Sequence, residues 1–182
     1  SANAKRTMGK GVSQISLVNR SKVYTGKAQA YTGKVTSSGS TGNVTFAYYS
    51  DSACTSPVAL ADIKDAGVYY VKATLAADRT HNAATSAVAT FTITPAAISG
   101  TTVAQIENQE YTGKALSPDV VVSFNGMALV RGRDFETEYL HNTEVGTATI
   151  VVSGKGNYTG TVVATFQITE PTTDITPDET DE

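Results

Sequence analysis

Two stretches of this chain end alike. Ala87-Val88-Ala89-Thr90-Phe91-Thr92-Ile93 matches Val162-Val163-Ala164-Thr165-Phe166-Gln167-Ile168 at an offset of 75 residues. At the same offset His81-Asn82-Ala83 falls on Gly156-Asn157-Tyr158. Gly67 and Gly146 correspond at an offset of 79, so the first copy holds four extra residues between its glycine and its asparagine. A repeat of this length means one supersecondary unit used twice, each copy having to bury its own apolar face. After Gly67, Tyr69, Val71, Ala73 and Leu75 alternate onto one side; after Gly146, Ala148, Ile150 and Val152 do the same in the same phase. That period of two is the signature of a strand.

The phrase Tyr-Thr-Gly-Lys occurs three times, beginning at Tyr24, Tyr31 and Tyr111. Tyr111 lies 35 residues before Gly146 and Tyr31 lies 36 before Gly67, whereas Tyr24 lies 43 before it. Counting therefore aligns Tyr31 with Tyr111 and makes the Tyr24 copy a local duplication. Gly113 is expected in a turn that a residue with a Cβ disfavours, and Lys114 in solvent.

These correspondences divide the chain into a lead at 1–10, a first unit at 11–94, a second at 95–169 and an acidic tail at 170–182. Ser1-Ala2-Asn3-Ala4 reads as the remnant of a cleaved tag. Pro95 holds Thr94 toward extended geometry and leaves almost no linker. The tail from Glu170 carries six acids and no base, a composition that cannot form a core.

Strand signals are dense and helix signals weak. In the second unit the expected strands are 119–124, 127–130, 134–139, 147–153 and 161–168, with Asn125-Gly126 and Arg131-Gly132 as turns. Phe135, Thr137 and Tyr139 would face inward, and Asp134, Glu136 and Glu138 outward. In the first unit they are 43–50, 67–75 and 86–93, and 51–65 reads as a loop with at most one helical turn. Short strands at regular spacing predict an all-β chain of two small antiparallel β-sandwiches, with a β-grasp-like half-open sheet as the alternative.

The motifs now assembled, YTGKAL with spaced valines from Tyr111 to Val122 and the pattern from Gly132 to Ile168 that ends GKGNYTGTVVATFQI, resemble the MBG-type bacterial Ig-like repeats. These are modules of large secreted or cell-wall-attached surface proteins, common in Gram-positive gut bacteria. The first unit, with VTFAYYSDSAC (Val44 to Cys54) and AGVYYVKATLAADRTHNAATSAVATFTI (Ala66 to Ile93), is similar to a sister form. It departs from the pattern at His81 and in its doubled YTGK. The resemblance implies tandem Ig-like modules in an extracellular, surface or wall location, with neighbouring repeats as partners and a spacer or adhesive role.

No catalytic constellation can be assembled from the residues. His81 and His141 occupy non-equivalent loops. Cys54, the only cysteine, has no cationic neighbour in sequence to favour a thiolate nucleophile. Gly154-Lys155-Gly156 lacks the hydroxyl residue and strand-to-helix context of a phosphate cradle. No cofactor or metal is expected. Asp62 and Asp65, or Asp134, Glu136 and Glu138, are the carboxylates that calcium could use, but strand alternation spreads the last three too far for one ion. A Lys–Asn cross-link between Lys27, Lys34 or Lys114 and Asn82 or Asn157 would require a buried acid beside them. The charge pattern has no basic patch interleaved with aromatics, so no nucleic-acid partner is expected. No apolar run is long enough to insert in a membrane, and a monomer is expected. The leading expectation is a non-catalytic spacer module. The alternative is adhesion to a host protein or glycan through exposed aromatics, with Tyr48 and Tyr70 as the candidate contacts.

Overall fold

A computed structural model describes residues 8–173. The tag remnant and most of the acidic tail, 174–182, lie outside the described residues. The chain separates by internal contact into two units that meet between Pro95 and Ala96. Apart from two three-residue 3-10 turns, the described regular structure is all strand.

The first unit contains β1 (Gln14–Leu17), β2 (Arg20–Val23), β3 (Val35–Ser38), β4 (Val44–Tyr49), β5 (Pro57–Val58), β6 (Gly67–Leu75), β7 (Ala84–Thr85) and β8 (Ala89–Thr94). The main sheet runs β2-β8-β6-β4-β5, with β7 also on β6, and β1 pairs separately with β3. The alternation read from the sequence is realised: Val71 and Ala73 are fully buried and Leu75 nearly so. Phe91, Ile93, Tyr31, Tyr48 and Ile63 complete one cluster with Val71. Ile15 joins Ala73 and Leu75, with Leu17, Val35 and Val44 packed against them. The β1–β3 pair thus covers part of the sheet's apolar face, which water would otherwise wet at about 25 cal/mol per Å².

The expected strand at 86–93 is broken. β7 and β8 pair with β6 one residue out of step, which inserts a bulge between them. Ser86 fills it: its amide donates to the Ala73 carbonyl and its hydroxyl accepts the Ala73 N–H. The 51–65 loop holds β5 and a 3-10 turn at Leu60–Asp62.

The second unit contains β9 (Ala96–Ala97), β10 (Thr102–Val103), β11 (Gln109–Glu110), β12 (Val122–Phe124), β13 (Met127–Ala128), β14 (Phe135–Leu140), β15 (Gly146–Gly154), β16 (Tyr158–Thr159) and β17 (Thr161–Thr169). The main sheet is β11-β17-β15-β14. Ala148, Ile150 and Val152 are fully buried, in the phase shared with the first unit. Asn125 and Gly126 both have positive φ, 48° and 78°, and close the two-residue hairpin β12–β13 as the dipeptide predicts. The strand expected at 119–124 is shorter, and 127–130 pairs only over Met127–Ala128.

Two expectations are corrected. The sheets are not purely antiparallel: β2 runs parallel to β8, and β11 parallel to β17. Alternation of apolar residues does not encode strand direction, so the sequence could not reveal this. Asp134 does not face water. It sits in the turn before β14, 5% exposed, where it accepts hydrogen bonds from the Arg133 guanidinium and the Val130 amide.

Candidate functional site

The parallel pairings settle which copy of the Tyr-Thr-Gly-Lys phrase is equivalent to which. Lys22 is paired with Ile93 and Gln109 with Ile168, the residues that close the two repeats. The Tyr24 amide donates to the Thr94 carbonyl at 2.8 Å, and the Tyr111 amide to the Thr169 carbonyl at 2.9 Å. The Thr94 hydroxyl reaches the Lys22 carbonyl at 3.3 Å, and the Thr169 hydroxyl reaches the Gln109 carbonyl at 3.4 Å. Gly26 and Gly113 both adopt left-handed φ, 79° and 72°. Tyr24, not Tyr31, is therefore the counterpart of Tyr111, and the count that favoured Tyr31 was displaced by an insertion after the first phrase. These two phrases serve as the exit from the strand that runs parallel to the closing strand of each unit.

The middle phrase does something else. Tyr31 is 6% exposed in the core. Its ring lies 5.7 Å from Phe46 and edge-on to Phe91 at 6.0 Å. Its hydroxyl donates to the Val18 carbonyl and accepts the Val18 amide at 3.1 Å, tying the segment after β1 to the core. Gly33 lacks positive φ but lies against the Tyr31 ring, in space that a Cβ would overlap.

Tyr48 and Tyr70 do not form the expected platform. Tyr48 is 7% exposed, opposite Val71, and its hydroxyl accepts the Tyr31 amide at 2.9 Å. Tyr70 points to the other face, where its cross-strand partner is Tyr49, and both are half-buried. The register decides this: in the adjacent pair Tyr48-Tyr49 the second residue faces out, and the register was not legible beforehand.

The polar loops are locked on themselves. The Asp78 carboxylate accepts the amides of Thr41, Thr80 and His81 at 2.7–2.8 Å. The Thr41 and Thr80 amides are the leading causes that hold this carboxyl far below its ordinary value. The Thr80 hydroxyl and the Asp78 carboxylate crowd the same nitrogen of His81, Nδ1, at 2.9 and 3.5 Å. A proton relay needs its nucleophile and its carboxylate on opposite ring nitrogens, so this group is built as a loop closure. Asp51 is also held below its ordinary value, first by the Thr55 hydroxyl and then by the Ser56 and Thr55 amides. Hydrogen bonds from Arg133 lower Asp134 in the same sense. Burial raises the Tyr69 phenol, and the nearby Asp65 charge adds to it. Cys54 and His141 sit at left-handed φ, 57° and 55°, in loops.

Among the described residues no three His, Cys, Asp or Glu side chains converge as a metal set, so Asp62 and Asp65 are not joined by a third, nor are Asp134, Glu136 and Glu138 gathered. Glu136 instead pairs with Lys155 at 3.1 Å on an exposed face. Lys27, Lys34 and Lys114 are exposed, and Asp134, the buried acid among the described residues, is committed to Arg133. The buried acid that a Lys–Asn cross-link requires is thus absent beside them.

The first unit also holds an apolar groove. It has a volume of about 510 Å³ and lies along β4, lined by Ala30, Tyr31, Phe46, Tyr48, Val58 and Leu60 among others. Phe46 is 39% and Leu60 47% exposed. The uncharged run from Val44 to Tyr49 was the sequence signal available for it.

No family model matches the chain, and no curated protein matches it. Among solved structures it is similar to the Sidekick-1 immunoglobulin domains 1-5, at 11% identity and a TM-score of 0.27, over 87% of this chain and 41% of that one. The likeness is weak and distant, and the chain spans about two fifths of that structure's length.

Proposed function

We infer that the chain is a non-catalytic, Ig-like structural module of an extracellular surface protein, a spacer that carries tension between the parts it joins. The observation that supports this reading is the parallel pairing of an early strand with the closing strand in both units. Tension applied at the ends of the first unit, once the Gly11–His81 bridge and the β1–β3 pair ahead of β2 have yielded, pulls β2 one way and β8 the other. Their hydrogen bonds are then loaded in shear, together, instead of being peeled one at a time. β11 and β17 repeat the arrangement, with the same threonine-to-carbonyl bond at its end. The bacterial, wall-attached setting rests on the sequence resemblance.

Single-molecule pulling from the two ends tests the reading. The Tyr24 amide faces Thr94, so by the alternation of a parallel ladder Lys22 also turns its N–H toward β8, and Ser21 turns away. Lys22→Pro removes a ladder donor; Ser21→Pro leaves the ladder intact, the position where proline is tolerated on an edge strand. Lys22→Pro is expected to lower the unfolding force of the first unit and Ser21→Pro to leave it nearly unchanged. Equal forces for all three proteins would remove the mechanical argument.

A second reading, adhesion to a glycan or host protein, is favoured by the cross-strand pair Tyr49 and Tyr70 on the outer sheet face. It predicts specific retention on a glycan and matrix-protein array that is lost in Tyr70→Ala. Silence of the folded protein on that array leaves the spacer reading alone.

A further inference from the structure

We propose that copies of this chain associate edge to edge: β2 of one copy adds as an antiparallel strand to β14 of another. The partner is a second copy because the first unit carries a basic sheet edge and the second unit the acidic edge that matches it. This surface is independent of the spacer reading, which concerns a single chain under load, and either stands if the other fails.

Both strands end their sheets: β2 has β8 as its neighbour in the first main sheet, and β14 has β15 in the second. The Tyr24 amide donates to the Thr94 carbonyl. By the alternation of a parallel ladder, Lys22 then faces β8, and the backbone N–H and C=O of Ser21 face the open side. On β14 the Lys155 amide donates to the Asp134 carbonyl, whereas the Phe135 carbonyl turns away from β15 and accepts the Gly132 amide. Glu136 and Glu138 share the alternation of Asp134 and bond to β15, so the backbone groups of Thr137 face the open side. Ser21 set opposite Thr137 closes two hydrogen bonds between copies.

The same register matches the charges. It sets Arg20 opposite Glu138 and Lys22 opposite Glu136, each pair on one face of the joined sheets, where opposite charges attract. Arg20, Glu136 and Glu138 are exposed and Lys22 is half-buried. Arg20, Lys22 and Glu138 have no ion pair among the described residues, and Glu136 has only the weak exposed pair with Lys155. The register also ends itself. Val23 and Phe135 would be the next residues opposed, and their carbonyls are already taken by the Gln29 side chain and the Gly132 amide. Asp62 and Asp65 flank Ile63, whose carbonyl accepts the Gln29 amide, so they belong to the Val23 end of β2 and Arg20 lies at the other.

Each edge rejects its own kind. β2 against β2 would oppose bases to bases, and β14 against β14 acids to acids, which is how charged edges resist pairing. The unlike combination alone is attractive, so repulsion elsewhere supplies the specificity. The surroundings have the same sense: residues 8–95 hold eight Lys and Arg against four Asp and Glu, and residues 96–173 hold four against eight. β4 is a bare edge of another sort. β5 covers its outer side only at Tyr48 and Tyr49, and it carries no charge from Val44 to Tyr49, so nothing on it selects a partner. A contact of three opposed residues between β2 and β14 is short, and therefore weak and sensitive to salt.

The test is sedimentation equilibrium of the whole chain from about 10 μM to about 1 mM in low salt, with amide shifts followed over the same range. The mean mass is expected to rise with concentration and to fall back in high salt, and the amides of Ser21 and Thr137 to shift as it rises. One variant carries Arg20→Glu and Lys22→Glu, a second Glu136→Lys and Glu138→Lys. Each alone is expected to associate at least about tenfold more weakly than the parent, and their equimolar mixture to associate as the parent does. Mixing cannot repair a variant that fails to fold, so recovery in the mixture assigns the loss to charge. Ser21→Pro removes the outward amide without touching the β8 ladder, and is expected to abolish association while leaving the unfolding force unchanged. The proposal is overturned if the parent keeps the mass of one chain throughout, if both charge variants associate as well as the parent, or if their mixture gains nothing over either alone. It is equally overturned if association shifts amides away from β2 and β14, because the copies then meet elsewhere.

Discussion

Replacing Tyr31 by Phe removes one oxygen atom and isolates what the middle Tyr-Thr-Gly-Lys phrase does. The hydroxyl makes two bonds to one residue, donating to the Val18 carbonyl and accepting the Val18 amide at 3.1 Å. Both are partly buried, so water replaces them incompletely. At about 0.5–1.5 kcal/mol for each net hydrogen bond, the loss of two is about 1–3 kcal/mol. A unit of this size shifts its melting temperature by roughly 4–8 °C per kcal/mol, so the first unit's transition should fall by at least about 4 °C and by up to about 24 °C. The ring stays, with its contacts to Phe46 and Phe91. Calorimetry reads the transition, and hydrogen exchange reads the Val18 amide, which should lose protection before the β6 amides do. Tyr111→Phe is the control, because that tyrosine is the counterpart of Tyr24 and its ring is only half-buried. It should cost no more than about 0.5 kcal/mol. An unchanged transition and a protected Val18 amide in Tyr31→Phe would refute the reasoning. So would an equal loss in Tyr111→Phe, since the phrases would then share one role.

Gly33→Ala should destabilise the first unit by about 1–3 kcal/mol, because its Cβ overlaps the Tyr31 ring and the core must shift. Gly26→Ala, at φ 79°, should cost about 1–2 kcal/mol through backbone strain alone and leave the Val18 amide protected, so exchange separates the two. Asp78 has a folded pKa below its unfolded one, so its contribution is complete above about pH 4–5 and disappears as pH falls through the folded value. In urea titrations the gap between parent and Asp78→Asn should be widest near neutral pH and should narrow steadily toward about pH 2; a gap independent of pH would assign the loss to shape alone. Asn125→Ala places alanine at φ 48° and should cost about 1–2 kcal/mol in the second unit's transition, whereas Asn125→Gly should be close to neutral.

The sequence alone determined that the chain is all-β and that two copies of one pattern share a phase. Tyr69, Val71 and Ala73 matched Ala148, Ile150 and Val152 before any strand was placed, because a period of two assigns faces locally. Asn125-Gly126 declared its hairpin for an equally local reason, the left-handed backbone that those two residues tolerate. What required long-range pairing was not legible. The short strands β2, β5 and β11 have no apolar alternation of their own, and exist because another strand offers them hydrogen bonds; β1, Gln-Ile-Ser-Leu, does alternate, but over four residues only. Strand direction is silent in a side-chain pattern, so the parallel ends of both units were hidden. The identity of the true repeat partner, Tyr24, was hidden with them. A one-residue difference in register buried Tyr48 and left Tyr49 beside Tyr70. The open edge of β4 exists for a similar reason. Nothing in its own sequence marks it, since the edge is bare only because the chain leaves the sheet after Val58.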